Sequence, residues 1–342
     1  MTKNTTIKIV ILGAGSVGCY IGGCLIAAGA NVSLVGRARL QQNIAQHGLR
    51  LTDWEQRNST VSASDIHFTT DNNVLAEADF ILLCVKSLDT ESAAVLIKQY
   101  ASADAVVVSF QNGVGNGELL QASLHQTVLK GMVPFNIFYQ GEGHFHCGTQ
   151  GHLAIEDAGS ICQALVTQLH NATLPVDVYD DLTSVQYGKL IINLNNAVNA
   201  LSGIPLQQQL GNRDYRNVVA AIQKEALVVL KAKGITPARL GKVIPTLMPY
   251  ILSLPNGLFK LVAASTLKID PQARSSMYED LQLNRPTEID FLNGEIVRLG
   301  KQVNIQTPVN SHITALVKHA EQSATGSPHL SAAELMPARR PH

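Results

Sequence analysis

The sequence predicts an α/β protein in which a parallel-sheet domain is followed by an all-α domain. Two observations support this fold class: apolar strand-like runs alternate with helical segments up to about residue 180, and almost only helical patterns follow. A chain of 342 residues, of which 46% are hydrophobic, is long enough to bury two cores. We expect domains at residues 1–180 and 181–325, with residues 326–342, rich in Ser, Pro, Ala and Arg, as a flexible tail.

A glycine-rich turn follows the first predicted strand, which runs from Ile7 to Leu12. A strand that turns on glycines into a helix aims backbone N–H groups and the positive end of the helix dipole at one point, which suits a pyrophosphate. The first glycine makes the turn, the second lets the phosphates approach, and the third lets helix and strand pack closely. We therefore predict a Rossmann-like dinucleotide-binding domain. Its cofactor contacts are Gly13, Ala14, Gly15, Ser16, Val17 and Gly18.

An arginine stands beyond the second predicted strand, Asn31 to Val35. Enzymes that prefer NAD usually carry an acidic residue about 20 positions beyond the glycines, where it binds the ribose 2′-hydroxyl. This chain has Gly36 and then Arg37, and a guanidinium can bind a 2′-phosphate through two N–H groups. The predicted cofactor is NADP(H), with Arg37 as a contact; the alternative is an arginine in a solvated loop.

Two continuous apolar runs, residues 78–85 and 105–110, read as strands covered on both faces. Lys86 follows the first run, and the polar segment 111–115, which includes Asn112, follows the second. Ligands of open parallel sheets bind beyond the carboxyl ends of the strands, so both ends should face cofactor and substrate. Short glycine-punctuated strands between residues 128 and 156 are expected to close the edge of this sheet.

Composition excludes several classes of partner. Twenty-six basic residues balance twenty-six acidic ones, so no overall field attracts nucleic acid or an anionic membrane. The start of the chain lacks the apolar region of a signal peptide, and the apolar stretch 244–254 is short and contains two prolines. We expect a cytoplasmic protein that binds neither nucleic acid nor a membrane.

Cysteines and histidines give no metal or disulfide signature. The five cysteines lack close pairs and are expected to be buried. His144 and His146 alternate with Phe145 and Cys147, which is typical of one face of an antiparallel strand. With His152 nearby a metal is the alternative, but the expectation is that none is bound.

The helical domain contains a lysine among amides. Helices are predicted at residues 182–201, 218–233, 288–302 and 308–321. In the first, Lys189, Asn193 and Asn196 share one face of a largely apolar helix. Partial desolvation would make this lysine a good proton donor near neutral pH; a surface lysine is the alternative. Farther on, Thr287 could cap a helix with Glu288 at its positive end, and this capping role is as well supported by the residues as a catalytic one.

At this point the chain resembles the ketopantoate reductases, the 2-dehydropantoate 2-reductases of pantothenate biosynthesis. The resemblance runs from Ile7 to about Glu321. It rests on the GAGSVG loop, Lys86, the QNGVGN segment, the KLIINLNNAVNALSG helix, and the motifs SSM and RPTEIDFLNG. It implies that NADPH reduces the ketone of 2-dehydropantoate, with Lys189 as the general acid and Asn112 positioning the lysine and the cofactor. It further implies that Asn193, Ser276 and Glu288 bind the substrate, and that Lys86 and Arg37 bind the cofactor.

The chain departs from the family pattern in two places. Ala197 stands where the family commonly has a second asparagine, so Asn196 and Asn199 are both candidates for the substrate site. The proline-broken stretch 235–270 is longer than in compact members, and could shape the substrate mouth or join two copies in a homodimer. Two alternative functions stay open: reduction of another small 2-oxo acid, and a non-catalytic NADP(H)-sensing module.

Overall fold

The computed structural model describes residues 7–149, 151–264 and 272–338. The chain divides into two compact units, Met1–Leu182 and Thr183–His342. The first is a sheet unit and the second is helical, which confirms the predicted fold class.

The first unit is built on an eight-stranded sheet. In chain order its strands are Lys8–Leu12 (β1), Asn31–Val35 (β2), His67–Thr69 (β5), Phe80–Leu83 (β6), Val106–Ser109 (β7), Thr127–Met132 (β8), Leu153–Glu156 (β11) and Val176–Tyr179 (β12). Their spatial order is β12-β11-β8-β7-β6-β1-β2-β5. Strands β5 to β8 are parallel to β1, and β11 is antiparallel to β8. The order reverses at β1 and β6, which is where a doubly wound sheet opens a crevice for its ligand.

Helices cover both faces of this sheet. They are Ser16–Ala27 (α1), Ala38–His47 (α2), Thr90–Tyr100 (α3), Asn116–Ser123 (α4) and Ser160–Asn171 (α5). Ile9 and Ile11 of β1 belong to one apolar core, whereas Val10 and Leu12 belong to another. Successive side chains of a strand point to opposite faces. A strand buried on both sides is therefore apolar throughout, as the runs in the sequence predicted.

A second, four-stranded sheet was not predicted. It consists of Leu49–Asp53 (β3), Asn58–Val61 (β4), Ile137–Tyr139 (β9) and His144–Cys147 (β10), in the order β4-β3-β10-β9. Only β8 and β11 of the region 128–156 lie in the large sheet, so the expectation that this whole region closes its edge is wrong. Strand β10 pairs in parallel with β3, far away in sequence, and such pairing leaves no local pattern.

The histidines of β10 lie on its less buried face, as their alternation predicted, while Phe145 and Cys147 are buried. His144 Nε2 and His146 Nδ1 each lie 2.8 Å from the Thr52 hydroxyl oxygen. His152 instead contacts Asp177, at 3.1 Å. Within the described ranges, no group of three metal-ligating residues is found, and all five cysteines are free thiols.

The second unit consists of nine described α-helices. They are Thr183–Asn193 (α6), Asn195–Ser202 (α7), Leu206–Gly211 (α8), Arg213–Ala232 (α9), Met248–Leu252 (α10), Asn256–Val262 (α11), Ser276–Gln282 (α12), Asn293–Gln302 (α13) and Pro308–Ser323 (α14). No helix in the described part of the chain is long and apolar enough to cross a membrane.

Three predicted helices differ from the structure. The helix predicted at 182–201 is interrupted at Leu194, so that α6 and α7 replace it, and the helix predicted at 218–233 begins five residues earlier, at Arg213. The predicted helix 288–302 begins only at Asn293, after a 3-10 turn at Ile289–Phe291. Thr287 therefore accepts a hydrogen bond from the Ile289 N–H, at 3.3 Å, and does not cap the long helix.

The tail is folded as far as it is described, contrary to the prediction of a flexible segment. Leu335 is fully buried. The Leu330 N–H donates to the Leu201 carbonyl at 2.9 Å, and the Tyr215 hydroxyl donates to the Leu330 carbonyl at 2.9 Å. One buried leucine and these backbone contacts hold a segment whose composition alone suggested disorder; residues 339–342 lie outside the described part.

Candidate active site

The glycine loop after β1 requires its glycines for different reasons. Gly13 has φ = +99°, and a Cβ there would lie 2.5 Å from the Val85 nitrogen. A Cβ on Gly18 would lie 2.5 Å from the Gly13 carbonyl oxygen, because α1 packs closely against the turn. By contrast, no described atom lies within 4 Å of a Cβ on Gly15. The loop is therefore tight on its protein side and open above Gly15, as a cradle for phosphates needs to be.

The start of α1 is suited to an anion. The Ala14 N–H donates to the Val35 carbonyl at 2.8 Å, which fixes the loop against the end of β2. Among the residues described, none caps the first turn of α1 with a side chain, and that turn contains no acidic residue. Ser16, Val17 and Gly18 thus begin a helix whose positive end carries no opposing carboxylate.

Arg37 lies at the end of β2, as predicted. It is exposed and stands at the N-cap of α2, a helix with no acidic residue in its first turn. Gly36 precedes it, and a Cβ there would lie 2.7 Å from the Phe68 ring. The end of β2 therefore has no room for a carboxylate side chain at Gly36 and presents a guanidinium at the next position.

The loops after β6 and β7 are joined by hydrogen bonds. Lys86 and Asn112, both partly buried, follow these strands. The Ser87 hydroxyl donates to the Asn112 carbonyl at 2.6 Å, and the Asn116 side-chain amide donates to the same carbonyl at 2.8 Å. Ser87 and Asn116 were missed at the sequence level, although both are polar residues that follow buried strands, which is the available signal.

Lys189 occupies α6 in an environment that changes its chemistry. The preceding Gly188 is buried and lets the Ala238 carbonyl approach to 2.5 Å from where a Cβ would be. Burial lowers the pKa of Lys189 to about 8, while the nearby negative charge of Glu288 acts in the opposite direction. The structure thus brings Lys189 and Glu288 within electrostatic reach in the helical unit, although they are far apart in sequence.

The three candidate asparagines differ in environment. Asn193 and Asn196 are partly buried, at the end of α6 and in the first turn of α7. Asn199 is fully buried, and its amide donates to the Ile204 carbonyl at 2.9 Å and to the Gln209 side chain at 3.0 Å. Its oxygen accepts the Ser275 N–H at 2.8 Å. Because these bonds use both groups of the side-chain amide, they favour a structural role for Asn199, and its role at the substrate stays a prediction.

The two serines of the SSM motif differ in burial and in contacts. Ser275 is buried and caps α12 by accepting the Tyr278 N–H at 3.2 Å. It also donates to the Asn196 carbonyl at 3.1 Å, which fixes the start of α12 beside α7. Ser276 is exposed at the first position of α12. Ser275 thus places Ser276 next to the segment that carries Asn196.

The segment that carries Glu288 is held by a residue that the sequence did not indicate. Glu288 is partly buried, and the N–H of the preceding Thr287 donates to the Glu321 carboxylate at 2.7 Å. Glu321 comes from the far end of α14, so only the fold reveals the contact. Helix α14 therefore fixes the segment that presents Glu288.

Family models match both units of the chain. The model described as ketopantoate reductase PanE/ApbA matches residues 9–175, and its C-terminal counterpart matches residues 181–321. The chain belongs to the ketopantoate reductase family. Members of this family use a nicotinamide dinucleotide and act on a small keto acid.

Individual relatives agree over nearly the whole length. The 2-dehydropantoate 2-reductase of Pyrococcus horikoshii is 28% identical, over 94% of this chain and 99% of its own. That of Vibrio cholerae is 28% identical, over 92% and 98%. The structure of a ketopantoate reductase from Ralstonia eutropha is 31% identical, with a TM-score of 0.80, and the match covers 93% of this chain and 99% of that one.

A second solved structure has the same fold at lower identity. It is D-mandelate dehydrogenase with NADH and anilino(oxo)acetate, 22% identical with a TM-score of 0.76, covering 93% of this chain and 99% of that one. At this identity the likeness concerns the fold alone.

Proposed function

We propose that this protein reduces 2-dehydropantoate to pantoate with NADPH, with hydride added to the C2 ketone and Lys189 as the general acid. The observation that carries this proposal is the placement of Lys189 within electrostatic reach of Glu288, in a chain that both ketopantoate reductase family models match. A lysine with a pKa of about 8 is mostly protonated at neutral pH and gives up its proton far more readily than an ordinary lysine. A non-catalytic sensor has no need of this pair.

The chain's own residues supply binding and proton transfer. When bound, the reduced nicotinamide supplies the hydride. The Lys189 ammonium donates its proton to the ketone oxygen as negative charge develops there. Asn193, Asn196 and Ser276 offer amide and hydroxyl groups to the oxygens of the substrate.

Glu288 has two roles in this mechanism. Its negative charge favours the protonated form of Lys189, which is the form that reduction needs. Its carboxylate would also accept a hydrogen bond from a substrate hydroxyl, and an analogue without that hydroxyl would leave the carboxylate unpaired at a cost.

The glycine loop, Lys86, Asn112 and Arg37 are the proposed contacts of NADPH. The open space at Gly15 and the start of α1 suit the pyrophosphate, and Arg37 suits a 2′-phosphate. This choice of NADPH over NADH rests on Arg37 and on the lack of room for a carboxylate at Gly36.

The decisive assay is NADPH oxidation by the purified protein with 2-dehydropantoate. Lys189→Ala should lower kcat by about 10²- to 10⁴-fold, the usual contribution of general acid catalysis, with NADPH affinity nearly unchanged. Lys231→Ala removes an exposed lysine of α9 in the same unit and serves as the control. Unaltered turnover of Lys189→Ala would exclude the lysine as the acid.

A second candidate substrate is another small 2-oxo acid. The observation that favours it is Ala197, which is fully buried at the position where the family commonly has an asparagine. A methyl group there cannot hydrogen-bond a substrate oxygen. Comparing kcat/KM for 2-dehydropantoate and for 2-oxo acids that lack its hydroxyl separates the two candidates.

We further propose a homodimer that uses the proline-broken segment. Its described part exposes six large apolar side chains and carries one charge, Lys260, between residues 244 and 262. These side chains are Ile244, Leu247, Tyr250, Leu258, Leu261 and Val262. A ketopantoate reductase from Staphylococcus aureus with this fold is described as dimeric. Residues 265–271 lie outside the described part.

A further inference from the structure

A network of buried, hydrogen-bonded polar side chains joins the two loops that carry Lys86 and Asn112. Its members are Ser87, Thr90, Ser109, Gln111 and Asn116, each at most 5% exposed. Buried polar groups cost free energy unless they are hydrogen-bonded, so five of them in one place need an explanation. Ser109 is the last residue of β7, and the other four follow β6 or β7 at the carboxyl edge of the sheet.

The hydrogen bonds of this network lead from Ser109 through Gln111 to Thr90. The Ser109 hydroxyl donates to the Gln111 oxygen at 2.9 Å, and the Gln111 amide donates to the Thr90 hydroxyl at 2.8 Å. The Thr90 hydroxyl in turn lies within hydrogen-bond distance of two acceptors, the Ser87 carbonyl at 2.8 Å and the Asn116 side-chain oxygen at 3.0 Å. The Asn116 amide is oriented by its partners on both sides, since its oxygen faces the Thr90 hydroxyl and its nitrogen faces the Asn112 carbonyl and the Ser87 hydroxyl.

The side-chain nitrogen of Asn116 connects this network to Asn112. One of its N–H groups donates to the Asn112 carbonyl at 2.8 Å, and the other reaches the Ser87 hydroxyl at 3.0 Å. Ser87 in turn donates to the same carbonyl at 2.6 Å and directly follows Lys86. The Ser87 hydroxyl and the Asn116 amide therefore hold the Asn112 carbonyl in one orientation. Asn116 also bonds to Ser87, the residue directly after Lys86.

We propose that Asn116 is a positioning residue that sets Asn112, and through Ser87 also Lys86, for binding of the dinucleotide. The inference rests on the proposed function, which assigns Asn112 and Lys86 to the cofactor. Asn116 itself is buried and acts through the Asn112 carbonyl. A purely structural role would affect stability and leave nucleotide affinity unchanged, so affinity is the quantity that tests the proposal.

Asn116→Asp is the sharpest variant, because it keeps the shape of the side chain and reverses its hydrogen bonding. A carboxylate oxygen would then face the Asn112 carbonyl, and the repulsion between two acceptors turns that peptide away. Thr90→Val removes the hydroxyl that contacts both the Ser87 carbonyl and the Asn116 oxygen, while Thr90→Ser keeps it. Gln126→Leu is the control: it removes a buried amide of the same unit that bonds to the Ser102 carbonyl, directly before β8 at the opposite edge of the sheet.

The experiment is a fluorescence titration of NADPH into the full-length protein and its variants, with thermal unfolding in parallel. We expect Asn116→Asp and Thr90→Val to raise the Kd of NADPH about tenfold, as loss of one well-placed hydrogen bond does. Thr90→Ser and Gln126→Leu should bind like the wild type. The effects of Asn112→Ala and Asn116→Ala should be less than additive in the double variant, because most of the effect of Asn116 passes through Asn112.

The outcomes separate the inference from the proposed function. If the wild type does not bind NADPH, or if Asn112→Ala leaves its Kd unchanged, the assignment of the cofactor site fails. If Asn112→Ala weakens binding but Asn116→Asp and Thr90→Val do not, the positioning role is overturned. Additive effects in the double variant overturn it too. Should Asn116→Asp not fold, the Thr90→Val and Thr90→Ser pair decides.

Discussion

At the scale of single residues, the lowered pKa of Lys189 predicts how activity depends on pH. Reduction needs the ammonium form, so kcat/KM should be constant below pH 8 and fall as pH rises through about 8. The reverse oxidation needs the neutral amine and should rise through the same pH. Initial rates of reduction and of oxidation, measured against pH at saturating cofactor, test both expectations.

Removal of the Glu288 charge should shift this profile. Because that charge raises the pKa of Lys189, Glu288→Gln lowers the pKa further and moves the falling limb to lower pH. Asp290→Asn is the matched control, since Asp290 is an exposed neighbour paired with Lys318 at 2.6 Å. A limb that moves equally in both variants would argue against a specific pair of Lys189 and Glu288.

Arg37 predicts the choice between the two nicotinamide cofactors. A charge-assisted hydrogen bond to a phosphate contributes about 1.5–3 kcal/mol, so Arg37→Ala should lower kcat/KM for NADPH roughly 10- to 100-fold and leave that for NADH nearly unchanged. Arg50→Ala removes another exposed arginine of the same unit and should change neither value. Equal losses with both cofactors would show that Arg37 does not contact the 2′-phosphate.

At the scale of helices and strands, α7 carries both a residue of the proposed site, Asn196, and a residue that supports the fold, Asn199. Asn199→Ala should lower the free energy of unfolding of the helical unit by about 2 kcal/mol or more, because it leaves buried partners on α8 and α12 unpaired. Asn196→Ala, only partly buried, should chiefly raise KM. Urea unfolding and steady-state kinetics on both variants distinguish these roles, and a large loss of stability in Asn196→Ala alone would reverse them.

Local signals explain which elements could be predicted. The segment from β1 through the glycine loop to β2 was predicted correctly, since its strand, turn and helix depend on adjacent residues. The second sheet was not, because β3 pairs with β10 across a long stretch of chain. The break at Leu194 was also missed: its φ and ψ are helical, and the freed Ile191 carbonyl is satisfied by Gln223 of α9, at 2.9 Å.

The residues of the candidate site, too, could be proposed only where a local pattern in the sequence marks them. Lys189 and Glu288 could be proposed from the sequence because an amide-rich helix and a family motif mark them. The pattern around Asn199 resembles that of a site residue, and its contacts with Gln209 and Ser275, which favour a structural role, could not be predicted from it. Ser87 and Asn116 were missed because the hydrogen bond between them, and their shared contact with the Asn112 carbonyl, depend on the folded structure.

At the scale of the whole molecule, the proposed dimer depends on a segment held in place by one buried charge. Arg216 is fully buried, donates to the Leu252 and Leu254 carbonyls at 3.0 and 2.8 Å, and lies over the Phe259 ring. The guanidinium thereby anchors α10 and α11 while their outer side chains stay exposed. A fixed apolar surface with little charge is the kind of surface that obligate interfaces use.

We therefore expect the purified protein to sediment as a dimer, and Tyr250→Asp with Leu261→Asp to convert it into a folded monomer. Tyr250 and Leu261 are 65% and 76% exposed, so neither substitution disturbs the core. Val95→Asp, at a site 64% exposed on α3, introduces the same charge elsewhere and should leave the dimer intact. Analytical ultracentrifugation with circular dichroism measures both mass and folding. A monomeric wild type, or a dimer that survives both substitutions, would rule out this segment as the interface.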